Sequence, residues 1–321
     1  MAHGSFFDRL ARRSQSSRSR SKRQKAQAGA SARLAARVFL GASLLLLGAV
    51  AAPNPASARC IPVAERWQSP LRSFAAHNPG LPARFQRVAA TSGTARGPAL
   101  PEDTVELSFL GHSTFLIRTA ANAAAVTDYN GYIRAPFAPD IVTMNRAHNS
   151  HYTDVIEPGV KHALRGWMEK GVIPSHNVTV RDLHVTNVAT NIREATGDSG
   201  WAGNSIFIFK SAGMCIAHLG HLHHRLIPSH AAKVGMVDVL LAPIDDGFTM
   251  PHTLLVKVID DLKPAVVVPM HYGFGGTLES FLALMRAQKF AIRIAKSRTT
   301  RFTKATLPRQ PTVLVLQGGV L

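Results

Sequence analysis

The stretch VELSFLGHSTFLIR, residues 105–118, decides the fold class of this 321-residue chain. Apolar and polar side chains alternate over Val105–Phe109, a pattern typical of a β-strand with one buried face. Gly111, His112 and Ser113 then form a turn, and Thr114–Arg118 continues as a second strand. The stretch therefore predicts two adjacent strands joined by a tight turn that carries a histidine.

Short apolar strands continue outward from this pair in both halves of the chain. Helices are fewer and are expected at Pro251–Leu262 and Thr277–Gln288, with Pro251 in a first turn. Because strand-rich segments occur together with helices and no repeat is visible, the pattern favours a layered α/β sandwich in one domain, residues 104–321. Further strands are expected at Ala123–Thr127, Ile141–Met144, Val178–Val188, Ser205–Lys210, Met214–His218, Val237–Ala242, Ala265–Met270 and Thr312–Leu316.

The N-terminal segment is organised as an export signal. A basic, Ser-rich region ends at Arg37, an unbroken run of apolar or small residues covers Val38–Ala52, and Ala56-Ser57-Ala58 fits the small-x-small cleavage rule. The run is shorter than the roughly 20 apolar residues that a membrane helix needs. We therefore expect a signal peptide over residues 1–58 and a lead-in segment over 59–103. The mature protein is then periplasmic or secreted, without a stable membrane anchor after cleavage.

The formal charge of +18 raises the question of a nucleic-acid-binding role. Half of that charge lies in residues 1–58, which the predicted cleavage removes. The rest of the chain shows no run of Lys and Arg interleaved with aromatic residues. We therefore expect a small-molecule partner and no nucleic acid.

The sequence contains only two cysteines, Cys60 and Cys215. After export they could form a disulfide, because the compartment is oxidising. Cys215 lies within the apolar stretch Met214–Ala217, however, and the preferred interpretation is a small buried hydrophobic residue.

Several of the fifteen histidines lie where a predicted strand gives way to a loop. Loops at strand ends allow a rigid sheet to direct side chains toward one point. Neutral imidazole is a common protein ligand for zinc and related metals. Four groups follow this pattern: Gly111-His112-Ser113, His148-Asn149-Ser150-His151, His218-Leu219-Gly220-His221-Leu222-His223-His224 and Pro269-Met270-His271-Tyr272.

The order of these blocks resembles the metallo-β-lactamase superfamily, most closely its lactonase- and phospholipase-like branch. The resemblance covers roughly residues 104–275, and it implies an αββα sandwich, a single domain and a metal-dependent hydrolase. It rests on blocks that occur in the same order along the chain: Gly111-His112-Ser113-Thr114, Thr127-Asp128, Pro139-Asp140-Ile141-Val142, Gly203-Asn204-Ser205, His218-Leu219-Gly220, Val237-Asp238-Val239-Leu240 and Pro269-Met270-His271-Tyr272.

The metal-binding motif departs from the family pattern. The family's His-x-His-x-Asp-His loop reads Arg146-Ala147-His148-Asn149-Ser150-His151 here, so an arginine replaces the first histidine and a serine replaces the aspartate. His221 occupies the position of the family's bridging aspartate. The family's middle histidine has no clear counterpart, and Asn191 is the nearest polar residue there.

These exchanges remove the carboxylates that would balance two divalent ions. Because uncompensated charge of one sign in a partly buried cleft costs several kcal/mol, we expect one divalent ion per chain, with zinc as the expected metal. Three imidazoles and an open position form a working zinc site. The predicted ligands are His151, His221 and His271, with His148 and His218 as alternates.

Other residues near the motif are given supporting roles. His112 is predicted to order the first loop by hydrogen bonding. Asp128, taken as a candidate catalytic residue, either supports the metal loop or caps a turn. Arg146, the second catalytic candidate, would bind a carboxylate or phosphate group of the substrate. Asp245 and Asp246 are interpreted as turn residues.

Together these features predict a secreted metal-dependent hydrolase that acts on an ester, lactone, amide or phosphodiester, with a small anionic substrate. The alternative is a non-catalytic binding protein whose histidines, in a decayed metal site, only form hydrogen bonds. A nucleic-acid-processing enzyme is disfavoured by the export signal. The metal content of the protein separates the first two possibilities.

Overall fold

Two β-sheets packed face to face form the framework of the protein in its computed structural model, which describes residues 96–193, 199–273 and 276–318. The predicted signal peptide and most of the predicted lead-in segment lie outside the described residues. Fourteen strands and three α-helices occur in the described ranges. Their bounds are β1 Val105–Gly111, β2 Thr114–Thr119, β3 Ala124–Val126, β4 Ile141–Met144, β5 His162–Arg165, β6 Asn177–Val180, β7 Leu183–Arg193, β8 Ser199–Ser211, β9 Met214–His218, α1 Pro228–Val234, β10 Val239–Pro243, α2 His252–Leu262, β11 Val266–Met270, α3 Thr277–Ala287, β12 Ala291–Ile294, β13 Thr299–Phe302 and β14 Thr312–Val315.

The first sheet has six strands in the order β13-β1-β2-β3-β4-β5. The antiparallel pair β1 and β2 is the one predicted from residues 105–118, and its register shifts between Phe109 and Gly111, just before the turn. The second sheet has eight strands in the order β12-β14-β11-β10-β9-β8-β7-β6. Within it β9, β10, β11, β14 and β12 are parallel, so the carboxyl ends of β9, β10 and β11 meet at one edge.

The core between the sheets explains why the first stretch of sequence is decisive. The inward side chains of β1 and β2, among them Leu107, Phe109 and Phe115, are at most 1% exposed. They pack against apolar residues of the second sheet such as Phe207 and Leu241. Each fully buried side chain of this size contributes about 1.5–3 kcal/mol relative to an exposed one, so the alternation in the sequence fixes which face turns inward.

The two outer faces are covered differently. Helices α2 and α3 pack on the outer face of the second sheet through residues such as Leu255, Ile259 and Phe281. The outer face of the first sheet is covered by irregular segments that contribute Phe137 and Trp167. The described residues therefore form a two-sheet α/β sandwich, which confirms the predicted fold class, with their helices on one side.

The predicted elements agree with the structure closely. The segment 178–188 forms the adjacent strands β6 and β7, and 205–218 forms the hairpin of β8 and β9. Helix α1 and strands β5, β12 and β13 were not predicted. No helix in the described part of the chain is long and apolar enough to span a membrane.

Cys215 differs from its preferred interpretation. It is fully buried in β9, as expected, but it is disulfide-bonded, so the prediction of a simple buried thiol is wrong. The other cysteine of the sequence, Cys60, lies outside the described residues.

Candidate metal centre

Four histidines converge at one edge of the sandwich, each carried by a different loop. His112 lies in the β1–β2 turn, His151 in the loop after β4, His221 after β9 and His271 directly after β11. Their ring centroids are 4.2 Å apart for His112 and His271, and between 4.8 and 5.5 Å for four of the other pairs. The backbone amide of His271 donates to the carbonyl of His112 at 2.8 Å, a bond that joins the two sheets at this point.

A buried carboxylate orients His151. The Nδ1 atom of His151 lies 2.8 Å from Oδ2 of Asp128, and both side chains are fully buried. Burial alone would raise the pKa of Asp128, but the charge and the hydrogen bond of His151 lower it to about 2. The other oxygen of Asp128 accepts from the amide of Asn145 at 3.1 Å. Because Nδ1–H is held by the carboxylate, the lone pair of Nε2 faces the cluster, and this buried Nε2 has no hydrogen-bond partner among the described residues.

A second carboxylate orients His271 in the same way. Its Nδ1 lies 2.9 Å from Oδ2 of Asp245. Asp245 also accepts from the amides of Gly247 and Thr249 and from the hydroxyl of Thr249. The bond from His271 and those amides hold the pKa of Asp245 well below its usual range, although burial alone would raise it. The interpretation of Asp245 as a turn residue is therefore incomplete, since the same carboxylate fixes a histidine of the cluster.

His112 completes a group of three potential ligands. Burial, followed by the charges of His271 and His151, lowers its pKa to about 4, so the ring is neutral at pH 7. Its Nε2 is buried without a partner in the described ranges. One potential ligand atom from each of His112, His151 and His271 lies within 4.8 Å of the others. Sequence reasoning assigned His112 only a hydrogen-bonding role.

Backbone strain accompanies these positions. His112, Asp128 and His271 all have positive φ, at 51°, 43° and 57°. Non-glycine residues adopt this left-handed region at a cost of order 1 kcal/mol, which is typically tolerated where function requires it. The geometry of the cluster is therefore imposed by the surrounding fold.

The two alternate ligands, His148 and His218, lie in different surroundings. His218 is fully buried; its Nε2 donates to the carbonyl of Ser113 at 2.8 Å, and its Nδ1 accepts from the amide of Gly220 at 3.1 Å. Both ring nitrogens are thus used by backbone groups. His148 is exposed and bonds to the hydroxyl of Ser150 at 2.8 Å, with its ring 5.9 Å from that of His151.

The polar neighbours of His221 are a histidine and an arginine instead of a carboxylate. Its Nδ1 lies 2.9 Å from Nε2 of His223 and 3.3 Å from a terminal nitrogen of Arg146. The Nδ1 of His223 in turn accepts from the backbone amide of Arg193 at 3.0 Å. Burial and then the charge of Arg146 lower the pKa of His223 to about 4. Burial, the histidine neighbours and Arg146 hold the pKa of His221 far below its usual value.

An open cavity of about 610 Å³ leads to this cluster. Its described lining includes two arginines, five histidines and the ring of Phe248, which is 78% exposed, and it includes no carboxylate. The guanidinium of Arg193 is anchored to the carbonyls of Gly247 and Thr249 at 3.0 and 3.4 Å. Asp128 does not line the cavity, so it acts as a positioning residue for His151. Arg146 does line the cavity, where its predicted role requires it to be.

Asn191, the nearest polar residue to the missing middle histidine, is used elsewhere. Its Oδ1 accepts from the amide of Ala202 at 3.0 Å, where the register of β7 and β8 shifts. The side chain therefore stabilises an irregular strand pair.

The part of the chain that carries this cluster matches a known protein family. The model of the family described as "Beta-lactamase superfamily domain" matches residues 106–271, about half of the chain, from β1 to the last histidine of the cluster. The chain belongs to the metallo-β-lactamase superfamily. The predicted membership of the superfamily is thereby confirmed.

Individual members of the superfamily match most of their own length. A UPF0173 metal-dependent hydrolase of Methanosarcina barkeri is 26% identical over 191 residues, which cover 52% of this chain and 83% of the relative. A UPF0173 metal-dependent hydrolase of Lysinibacillus sphaericus is 25% identical over 199 residues and is covered to 85%. The solved structure of a superfamily protein from Thermotoga maritima covers 66% of this chain and 98% of its own length, at 23% identity and a TM-score of 0.49.

Sequence reasoning missed three contributors to this site: His112 as a possible ligand, Asp245 behind His271, and Arg193 in the cavity wall. One signal could have found Asp245, because it follows the buried strand β10 at the edge where β9 and β11 also end. Arg193 gives no comparable signal, because it reaches the cavity only through the long pairing of β7 with β8.

Proposed function

We propose that the protein is a metal-dependent hydrolase that acts outside the cytoplasm on a small anionic substrate and holds one divalent ion at His112, His151 and His271. The observation that carries the proposal is the arrangement of His151 and His271, each with its Nδ1 on a buried or largely buried carboxylate. Carboxylate–histidine pairs of this kind are typical supports of metal ligands, because they fix the ring tautomer and raise the basicity of Nε2.

The residues present fit a metal ion. Two buried Nε2 atoms, those of His112 and His151, have no partner among the described residues, and an unpaired buried polar atom costs about 1–3 kcal/mol. An ion shared by the three rings would satisfy both atoms. Three imidazoles leave one position open, as catalytic zinc sites do.

The charges around the cluster favour one ion over two. Asp128 and Asp245 supply two negative charges directly behind the ligands, enough to balance one divalent cation. Arg146 and Arg193 already place two positive charges at the same cavity. A second divalent ion would therefore be uncompensated in a partly buried site, at a cost of several kcal/mol.

The chemistry follows from this arrangement. When bound, a divalent ion supplies Lewis-acid chemistry, lowering the pKa of a water ligand toward ~7 and polarising the oxygen of an ester, lactone, amide or phosphodiester. Asp128 and Asp245 hold the ligand rings in place. Arg146 and Arg193 bind the anionic group of the substrate, and Phe248 offers an apolar surface at the cavity wall. Zinc is the metal that we propose, because neutral imidazoles suit it well.

Elemental analysis of protein purified without chelators tests the proposal. We expect about one equivalent of metal per chain, lost in His151→Ala and in His271→Ala and retained in His162→Ala, which changes a histidine of β5 outside the cluster. Two equivalents would contradict the charge argument. No metal, even after incubation with zinc, would favour a decayed site in a non-catalytic binding protein.

The location outside the cytoplasm is supported by the basic region and apolar run before Ala58 and by the disulfide at Cys215, since disulfides persist in oxidising compartments. N-terminal sequencing of the protein from cell fractions tests it. We expect a mature chain that begins near Arg59 in the exported fraction. An intact Met1 on cytoplasmic protein would refute export.

A further inference from the structure

We propose that His221 is not a metal ligand but a hydrogen-bond donor, which presents Nε2–H to a negatively charged oxygen of the substrate. The inference rests on the proposed function, because it assigns a role beside the same ion. It departs from the ligand set expected from the sequence, in which His221 was one of three. A chain of hydrogen bonds fixes which nitrogen of each ring carries the proton.

The chain begins at the backbone of Arg193. Its amide lies 3.0 Å from Nδ1 of His223, and a backbone N–H can only donate. The Nδ1 of His223 must therefore carry a lone pair. Since an imidazole ring keeps at least one proton, the proton of His223 is on Nε2.

The next link fixes His221. The Nε2–H of His223 lies 2.9 Å from Nδ1 of His221, so it donates to that atom. A terminal nitrogen of Arg146 approaches the same Nδ1 at 3.3 Å, and a guanidinium also only donates. The longer approach of Arg146 to Nε2 of His223, at 3.4 Å, is then a contact between two donors. Two donors converge on Nδ1 of His221, which leaves its proton on Nε2.

The opposite tautomer would disturb the whole chain. For Nε2 of His221 to bind a metal, the proton would have to move to Nδ1, facing both Arg146 and His223. His223 would then have to accept at Nε2 and carry its proton on Nδ1, directly against the amide of Arg193. Each lost bond leaves a buried polar group unsatisfied, at about a tenfold or greater penalty in the equilibrium between the tautomers.

His151 and His271 carry their protons on the other ring nitrogen, Nδ1. Those rings give their Nδ1–H to Asp128 and Asp245, so their Nε2 lone pairs face the cluster. His221, only 4.8 and 5.1 Å from them between ring centroids, has the reverse arrangement. The cluster thus combines acceptor nitrogens for a cation with a donor for an anion.

A donor at this position has a clear use. His221 and Arg146 both line the cavity, and together they offer N–H groups to one oxyanion next to the proposed ion. Preorganised donors aimed at developing negative charge are among the largest contributions to catalysis by hydrolases. A phosphate, phosphonate or carboxylate group is the ligand chemistry that this pair fits.

NMR of the metal-free protein tests the tautomers directly. Long-range ¹H–¹⁵N correlation spectra should show the Nε2–H form for His221 and His223, and the Nδ1–H form for His151 and His271. Signals are assigned by single substitutions. The tautomers are read from the spectrum of the unsubstituted chain, and an Nδ1–H form for His221 would overturn the proposal.

Binding measurements provide the second test. Zinc affinity should change by less than about threefold in His221→Ala and His221→Gln, whereas His151→Ala should lose at least a hundredfold. Affinity of the zinc-loaded protein for phenylphosphonate should fall about tenfold or more in His221→Ala, the effect of one hydrogen bond to a charged group. His221→Gln, which keeps an N–H at that position, should recover much of this loss.

The outcomes separate the two proposals. Zinc loss in His221→Ala comparable to that in His151→Ala would refute the donor role and leave the metal site intact as a proposal. Zinc binding unaffected by His151→Ala and His271→Ala would refute the proposed function itself. Unchanged phenylphosphonate affinity in His221→Ala would also refute the donor role.

Discussion

The carboxylate of Asp128 shows how one buried residue determines the chemistry of another. It holds no direct position in the cavity, yet it fixes the ring of His151 and the amide of Asn145 at once. The substitution Asp128→Asn separates the effect of the charge from the effect of the side-chain shape, because asparagine keeps the shape and removes the charge.

We predict that Asp128→Asn reduces zinc affinity by about 10- to 100-fold, the usual effect of removing such a support. The reason is that an amide polarises the His151 ring less than a carboxylate does and contributes no charge against the ion. Competition with a chromophoric chelator measures the affinity. Asp154→Asn is the matched control, because the Asp154 side chain is 71% exposed and pairs with Arg165 instead of a histidine of the cluster. Equal affinities in the two variants would contradict the role of Asp128.

At the scale of elements, the turn after β9 depends on close packing around a glycine. Gly220 has φ of 61°, and a Cβ placed on it would overlap the amide groups of Asn145 and Asn204. Both asparagines are fully buried and hydrogen-bonded, and Asn204 accepts from the amide of His221 at 2.8 Å. The same contact that excludes a side chain at residue 220 therefore positions His221.

We predict that Gly220→Ala lowers the free energy of unfolding by about 1–3 kcal/mol more than Gly213→Ala does. Gly213, in the β8–β9 turn, has a similar φ of 69° but open space where the new methyl group would lie, so the comparison cancels the backbone strain. Urea denaturation of both variants gives the difference. Equal losses of unfolding free energy in the two variants would mean that the packing around Gly220 adds no penalty.

The strands and helices differ in how clearly the sequence predicts them. Strands such as β11, built around Val266–Val268, were predicted because both faces are buried and the run is uniformly apolar. Strand β12, Ala291–Ile294, is half exposed and lacks that signal, and the seven-residue α1 is too short for a clear period.

The candidate site, too, could be predicted from the sequence only in part. The rule that loops at strand ends share an edge located His151 and His271 in one cleft. The proton positions of His221 could not be predicted, because they depend on the amide of Arg193, which is 28 residues away in the chain and adjacent only through the fold.

At the scale of the whole molecule, one buried charge joins parts that are distant in sequence. Asp140 is fully buried and pairs with Arg96 from the lead-in segment, with Arg181 from the β6–β7 turn of the other sheet, and with Lys161 before β5. Burial alone would raise the pKa of Asp140, but hydrogen bonds from Arg96 and Arg181 hold it well below its usual value.

We predict that Asp140→Asn destabilises the protein by about 2–4 kcal/mol at pH 7, since removing one partner leaves the arginines uncompensated. Because folding lowers the pKa of this carboxyl, its stabilising effect is full above about pH 4 and is lost as the pH falls further. The difference between the parent and variant proteins should therefore shrink below pH 4. Denaturation curves at pH 7 and pH 3 measure it, and an undiminished difference at pH 3 would rule out the charge as its cause.

The hydrogen bond between the amide of His271 and the carbonyl of His112 has a mechanical consequence. His112 and His271, two of the proposed ligands, follow strands of opposite sheets, so an ion bound to both would link the two sheets. Its binding energy would then resist the separation of the sheets, by about 1.4 kcal/mol for every tenfold excess of free ion over its dissociation constant. The proposed ion would thereby also stabilise the fold, and the protein's resistance to unfolding would depend on the concentration of free metal around it.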